Sequence, residues 1–158
     1  MNEIIPSSAP VMNGMPAGIG EALELNVFGW PFTGLVTLFT LLVVFVLAYQ
    51  VGVARKKYGV QVPTMTGPEE FMCVLRAHAN SVEYLVIFLP LLWITALAAR
   101  DEIAAAIGVF WPISRIIYAM AYYKNPKNRF PGFIMGISVI VILFIISAIQ
   151  IVRSLFIW

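Results

Sequence analysis

Hydrophobic and polar positions fall into long blocks along this chain, not into a short alternation. Residues 27–54, VFGWPFTGLVTLFTLLVVFVLAYQVGVA, carry no charged side chain, and about 20 apolar residues in a helix cross a hydrocarbon core of ~30 Å. The block predicts a first membrane span, with Trp30 and Tyr49 placed near its ends as interfacial aromatics would be. Arg55, Lys56 and Lys57 close it, and YGVQVPTMTGP then supplies the glycines and prolines of a loop. A second block, 69–99, opens after Pro68 with Glu69 and Glu70, which suits the positive end of a helix. As a single helix it would extend ~46 Å, longer than the hydrocarbon core, so its more polar first half is expected to protrude or to line a pocket. Arg100, Asp101 and Glu102 read as a tight turn, followed by a third block over 103–123 that contains Pro112 and the lone cation Arg115. The loop KNPKNRFPG, 124–132, leads into a fourth apolar block, 133–158. The pattern predicts an all-α integral membrane four-helix bundle, one domain over 1–158, preceded by an arm of residues 1–25.

Composition narrows the function classes. Hydrophobic side chains make up 61% and charged ones 11%, against about 25% charged in soluble domains, and the mean hydropathy is +0.90. A soluble globular domain is excluded. The net charge of +2 is too small and too scattered for a nucleic-acid surface. Cys73 stands alone, so no intrachain disulfide is expected. One histidine, and no CxxC or HExxH spacing, predicts no metal site. The arm has acids and no basic residue, unlike the cationic start of a signal peptide, and is expected to remain on the protein. The two loops that share one side carry Arg55, Lys56, Lys57, Lys124, Lys127 and Arg129. The positive-inside rule puts those loops in the cytoplasm and both termini on the other side. No internal repeat suggests an inverted-repeat transporter.

Charges inside spans are costly and usually turned inward, so they mark candidate chemistry. In the second block the string LRAHANSVEY places Arg76, Asn80 and Glu83 on one helical face, with Tyr84 at its edge and His78 roughly opposite. In the third block Arg115, Tyr118 and Tyr122 share a face, and the following loop adds Lys124, Lys127 and Arg129. One reading is a set of interhelical charge partners. The other is a site for a small anionic, peptide-like ligand such as glutathione. Arginines clamp carboxylates, Asn and Glu hold amide and ammonium groups, and tyrosines donate from the walls.

The strings TGPEEFMCVLRAHANSVEY and RIIYAMAYYKNPKNRFPG resemble the MAPEG family (membrane-associated proteins in eicosanoid and glutathione metabolism), in its microsomal glutathione transferase and leukotriene C synthase branch. The combination of RAxxNxxEY with RxxYxxxY and a later arginine carries the resemblance over about 55–132, and the four-span layout extends it to the whole chain. It implies a homotrimer with glutathione bound between neighbouring subunits and open to the cytosol. Arg55, Arg76, Asn80, Glu83, Tyr84, Tyr118 and Tyr122 would bind glutathione, and His78 would address the neighbouring subunit's site. Arg129 would be catalytic, holding the sulfur as thiolate. The partners implied are glutathione, a lipophilic electrophile or lipid hydroperoxide, and membrane lipids. The membrane would be the endoplasmic reticulum or, for a bacterial source, the inner membrane. The expected reaction is transfer of glutathione to lipophilic electrophiles, with detoxification or eicosanoid metabolism as its setting and peroxidase activity as a second reaction.

Some positions depart from the pattern of the leukotriene C synthase. His78 stands where that synthase has Gln, and Lys56 where it has a second arginine. The alternative function is a non-catalytic lipid-binding adaptor resembling the lipoxygenase-activating protein of the same family, a branch that PGFIMGISVIVILF also resembles. Its members lack the RAxxNxxEY set kept here, which favours the enzyme. A small multidrug exporter would need a membrane-embedded acid for proton coupling. The first span has none, and Glu83 lies among arginines.

Overall fold

The computed structural model describes residues 29–156; the predicted arm and the first and last residues of the predicted spans lie outside them. Helix α1 runs over Pro31–Tyr58, α2 over Glu69–Ala98, α3 over Asp101–Gly108, α4 over Phe110–Lys124 and α5 over Phe130–Leu155, with a 3-10 turn at Pro126–Arg129 ahead of α5. Among the described residues four helical stretches are long and apolar enough to cross a membrane, α3 and α4 together making the third. The chain is an integral membrane bundle in which consecutive spans run antiparallel. Helix α1 packs on α2, α2 on α5 and α5 on α4, with α4 closing back on α1.

Several helix ends have an identifiable cause. Proline opens α1 at Pro31, where a missing N–H costs nothing. The apolar run continues through Arg55, Lys56 and Lys57, which suit a helix C-terminus. Gly59 ends the helix with φ 66°, a left-handed conformation open to glycine, and its N–H caps the Arg55 carbonyl. Asp101 and Glu102 form the first turn of α3 rather than a separate turn. The Asp101 carboxylate also reaches across to α1, where Oδ2 accepts from the Phe32 N–H at 2.9 Å and Oδ1 from the Thr33 N–H at 2.8 Å. The third span is broken at Val109. Pro112 accounts for the break, because it has no N–H to give the Gly108 carbonyl and its ring crowds that group.

The fourth span begins earlier than the sequence pattern suggested. Pro131 lies in the first turn of α5, where proline is compatible with a helix. A Cβ on Gly132 would stand 2.5 Å from the Tyr118 backbone nitrogen, so this glycine permits close packing of α5 on α4. Pro90 lies inside α2 and leaves the Val86 carbonyl without its usual donor.

The core at the α3 end of the bundle contains Val36, Phe88, Leu92, Trp111 and Leu143. The Phe88 and Trp111 rings stack at 4.4 Å. Near the same end Thr95 Oγ1 lies 2.8 Å from Ser147 Oγ, tying α2 to α5 inside the membrane.

Candidate functional site

The paired ends of α2, α4 and α5 enclose a cavity of about 530 Å3, within the range of small-molecule sites. Arg76, Ala79, Asn80 and Glu83 line it from α2, Tyr118 and Tyr122 from α4, and Arg129, Phe130 and Phe133 from the turn into α5. The helical period places Arg76, Asn80 and Glu83 along one wall. The 3-10 turn, opened by Asn125 Oδ1 accepting from the Lys127 N–H at 2.9 Å, delivers Arg129 to the rim. There its guanidinium carbon lies 5.5 Å from the centre of the Tyr122 ring, a distance at which a cation is attracted to an aromatic face.

Arg115 lies behind this lining, 1% exposed. One guanidinium nitrogen donates to Asn80 Oδ1 at 3.2 Å and the other to the Gly132 carbonyl at 3.2 Å, while Nε donates to Ser114 Oγ at 3.3 Å. The rings of Tyr84, Trp111 and Tyr118 stand 5.9, 5.4 and 5.1 Å from its carbon. Three acceptors and three aromatic faces thus stabilise a buried cation that has no carboxylate beside it. Arginine can only donate, so Asn80 must turn its oxygen toward Arg115. Its amide NH2 is left to donate elsewhere.

The charges lining the cavity are not spent on one another. Among the described residues the single ion pair is the exposed Arg100–Glu102, at 3.5 Å. Arg76, Glu83 and Arg129 therefore offer two guanidiniums and one carboxylate to whatever enters. Arg55 does not reach this cavity within one chain. Its guanidinium donates to the Thr64 carbonyl at 2.8 Å and lies 5.3 Å from the Phe71 ring centre, holding the α1–α2 loop. His78 is half-buried away from the cavity. Tyr84 stands behind the lining, edge-on to Phe133 at 6.0 Å. No cluster of metal-ligating side chains occurs among the described residues.

Ala79, Phe130 and Phe133 line the cavity without having been named in the sequence, and Arg115, placed there on one face with Tyr118 and Tyr122, was given no binding role. The signal for Arg115 was present, since an unneutralised cation inside an apolar span needs an acceptor. Nothing in the sequence marks the two phenylalanines among so many apolar neighbours.

A model of the MAPEG family matches residues 33–149, which include every residue lining the cavity. The chain belongs to the MAPEG family. An uncharacterised protein of Synechocystis is 43% identical over 107 residues, covering 68% of this chain and 77% of its own length. Human microsomal glutathione S-transferase 2 is 35% identical over 107 residues, 68% of this chain and 73% of its own. Rat leukotriene C4 synthase is 36% identical over 100 residues, 61% of this chain and 67% of its own.

Proposed function

We propose that this protein is a membrane-bound glutathione transferase that joins glutathione to lipophilic electrophiles. The observation carrying this reading is the cavity that gathers Arg76, Glu83 and Arg129 around Asn80, Tyr118 and Tyr122. Glutathione at neutral pH has two carboxylates and one ammonium, the complement of two guanidiniums and one carboxylate. Named relatives, a glutathione S-transferase and a leukotriene C4 synthase, support the same class.

Arg76 pairs with a carboxylate of the tripeptide in a two-pronged geometry, Glu83 takes the ammonium, and the Asn80 amide donates to a backbone carbonyl. Arg129 stands at the sulfur. A thiol like that of cysteine has an ordinary pKa of about 8.5, lowered by a neighbouring cation. Arg129 stays protonated and cannot act as a base at neutral pH, so it stabilises the thiolate electrostatically while the proton leaves to water. The thiolate attacks an electrophilic carbon, and as the C–S bond forms the carbon's bond to an epoxide oxygen or to a leaving group breaks, the oxygen then taking a proton from water or the group departing as an anion. With a lipid hydroperoxide two glutathiones become a disulfide while the peroxide becomes an alcohol and water. The apolar partner enters from the bilayer past Phe130, which is exposed at the rim.

The basic loops, and with them the site, face the cytoplasm. The working unit is a homotrimer in which Arg55 and His78 face a neighbour's cavity, so Arg55 exchanges its loop carbonyls for a glutathione carboxylate. The test is calorimetric titration of the detergent-purified protein with glutathione, following thiolate absorbance in parallel. Wild type binds and forms thiolate, Arg76→Ala loses binding, and Arg129→Ala binds without thiolate. Absence of glutathione binding to wild type at millimolar concentration would overturn the reading.

A further inference from the structure

A second groove, of about 310 Å3, lies between α1 and α4, and none of the residues lining it lines the glutathione cavity. Leu42, Val46 and Gln50 line it from α1, and Ile116, Met120 and Tyr123 from α4. Its floor is the buried cluster of Val43, Leu47 and Ala119. The small side chain of Ala119 leaves the depth that a larger residue would fill. Leu42, Val46 and Met120 are exposed in the chain, and within the bilayer an acyl chain seated on them is held by van der Waals packing in the groove.

Charge at the mouth of the groove selects the occupant. At about 100° per residue the α1 stripe that runs through Val43, Val46 and Gln50 continues to Lys57, two turns further on. Lys124 directly follows Tyr123 on α4. Both lysines are exposed and sit at the basic loop end of the bundle, where lipid headgroups lie. The Lys57 ammonium is 5.0 Å from the Tyr58 ring centre, and neither lysine has a carboxylate partner among the described residues. The opposite end of the bundle offers a contrast. An apolar groove there, lined by Phe32 and Leu35 of α1, ends at Glu102 and would repel an anion.

We propose that the α1–α4 groove binds an anionic phospholipid from the surrounding bilayer, one acyl chain lying along α1 and the headgroup phosphate between Lys57 and Lys124. This site is separate from the catalytic reading and stands or falls without it. A basic residue near an anionic membrane surface contributes roughly fivefold in binding. The pair therefore gives a clear preference over a zwitterionic lipid of the same chains.

The experiment uses the full chain in nanodiscs of mixed phosphatidylcholine and phosphatidylglycerol, extracted gently and assayed for retained lipid by mass spectrometry. Wild type retains phosphatidylglycerol enriched several-fold over the bilayer composition. Lys57→Gln with Lys124→Gln retains lipid at the bulk ratio, and Val46→Trp, which fills the groove, loses retained lipid of both kinds. Wild-type lipid at the bulk ratio overturns the proposal, as does enrichment that survives both variants. A change of oligomer mass in Val46→Trp also overturns it, because the groove would then be a contact between subunits. Should Val46→Trp fail to fold, the double lysine variant alone decides, since it alters only exposed side chains.

Discussion

At the residue scale, Arg115 organises the cavity without lining it. It fixes the Asn80 amide from behind and joins α4 to α5 through the Gly132 carbonyl. Arg115→Leu removes the charge-assisted bond that orients Asn80, and such a bond is worth about 1.5–3 kcal/mol. Glutathione affinity should fall by roughly 10- to 100-fold by calorimetry. Arg115→Lys keeps a cation but loses the planar fork and its stacking, and should recover only part of the affinity. Gly136→Ala tests the same point from the opposite side, since a Cβ there would overlap the Arg115 guanidinium. It should weaken glutathione binding even though alanine is the better helix former. The face shared by Arg76, Asn80 and Glu83 was legible from spacing alone. The hold of Arg115 on Asn80 was not, because helical periodicity relates residues within one helix and this bond crosses from α4 to α2.

At the element scale, the ends of helices decide the arrangement. Asp101 lies in the first turn of α3 and accepts two N–H groups from the first turn of α1, so one carboxylate stands at two positive helix ends. Asp101→Ala should destabilise the bundle by about 1–2 kcal/mol, seen as a lower Tm in detergent. Asp101→Asn, which keeps one acceptor, should lie between the two. The spans themselves were readable from hydropathy, since apolar blocks of that length have few other uses. Their ends were harder to read. Pro131 and Gly132 look like loop punctuation, yet the proline fits a helix start and the glycine admits Tyr118. The cap provided by Asp101 joins residues far apart in sequence, which no local pattern encodes.

At the scale of the whole molecule, the polar cavity lies at one end of the bundle, and buried apolar clusters run along its length, one of them with the stacked Phe88 and Trp111 rings at the other end. One chain brings Arg76, Asn80, Glu83, Tyr118, Tyr122 and Arg129 together but leaves Arg55 on its own loop. In the trimeric reading each glutathione is held by two chains. Trimers co-assembled from Arg55→Ala and Arg76→Ala subunits should then regain part of the glutathione binding that each variant lacks alone, measured by calorimetry on the mixed protein. No recovery would assign Arg55 to its loop alone.

The bond between Thr95 and Ser147 acts on this geometry as a fulcrum. It clamps α2 to α5 far from the cavity, while Pro90 interrupts the hydrogen-bond ladder of α2 on the cavity side of the clamp. From Pro90 to Arg76 the helix is a lever of about 21 Å, and each degree of bending at the proline carries Arg76 sideways by roughly 0.4 Å. On the proposed reading, small angular changes at the proline would translate into changes of aperture at the mouth of the cavity while the clamped end stays in place.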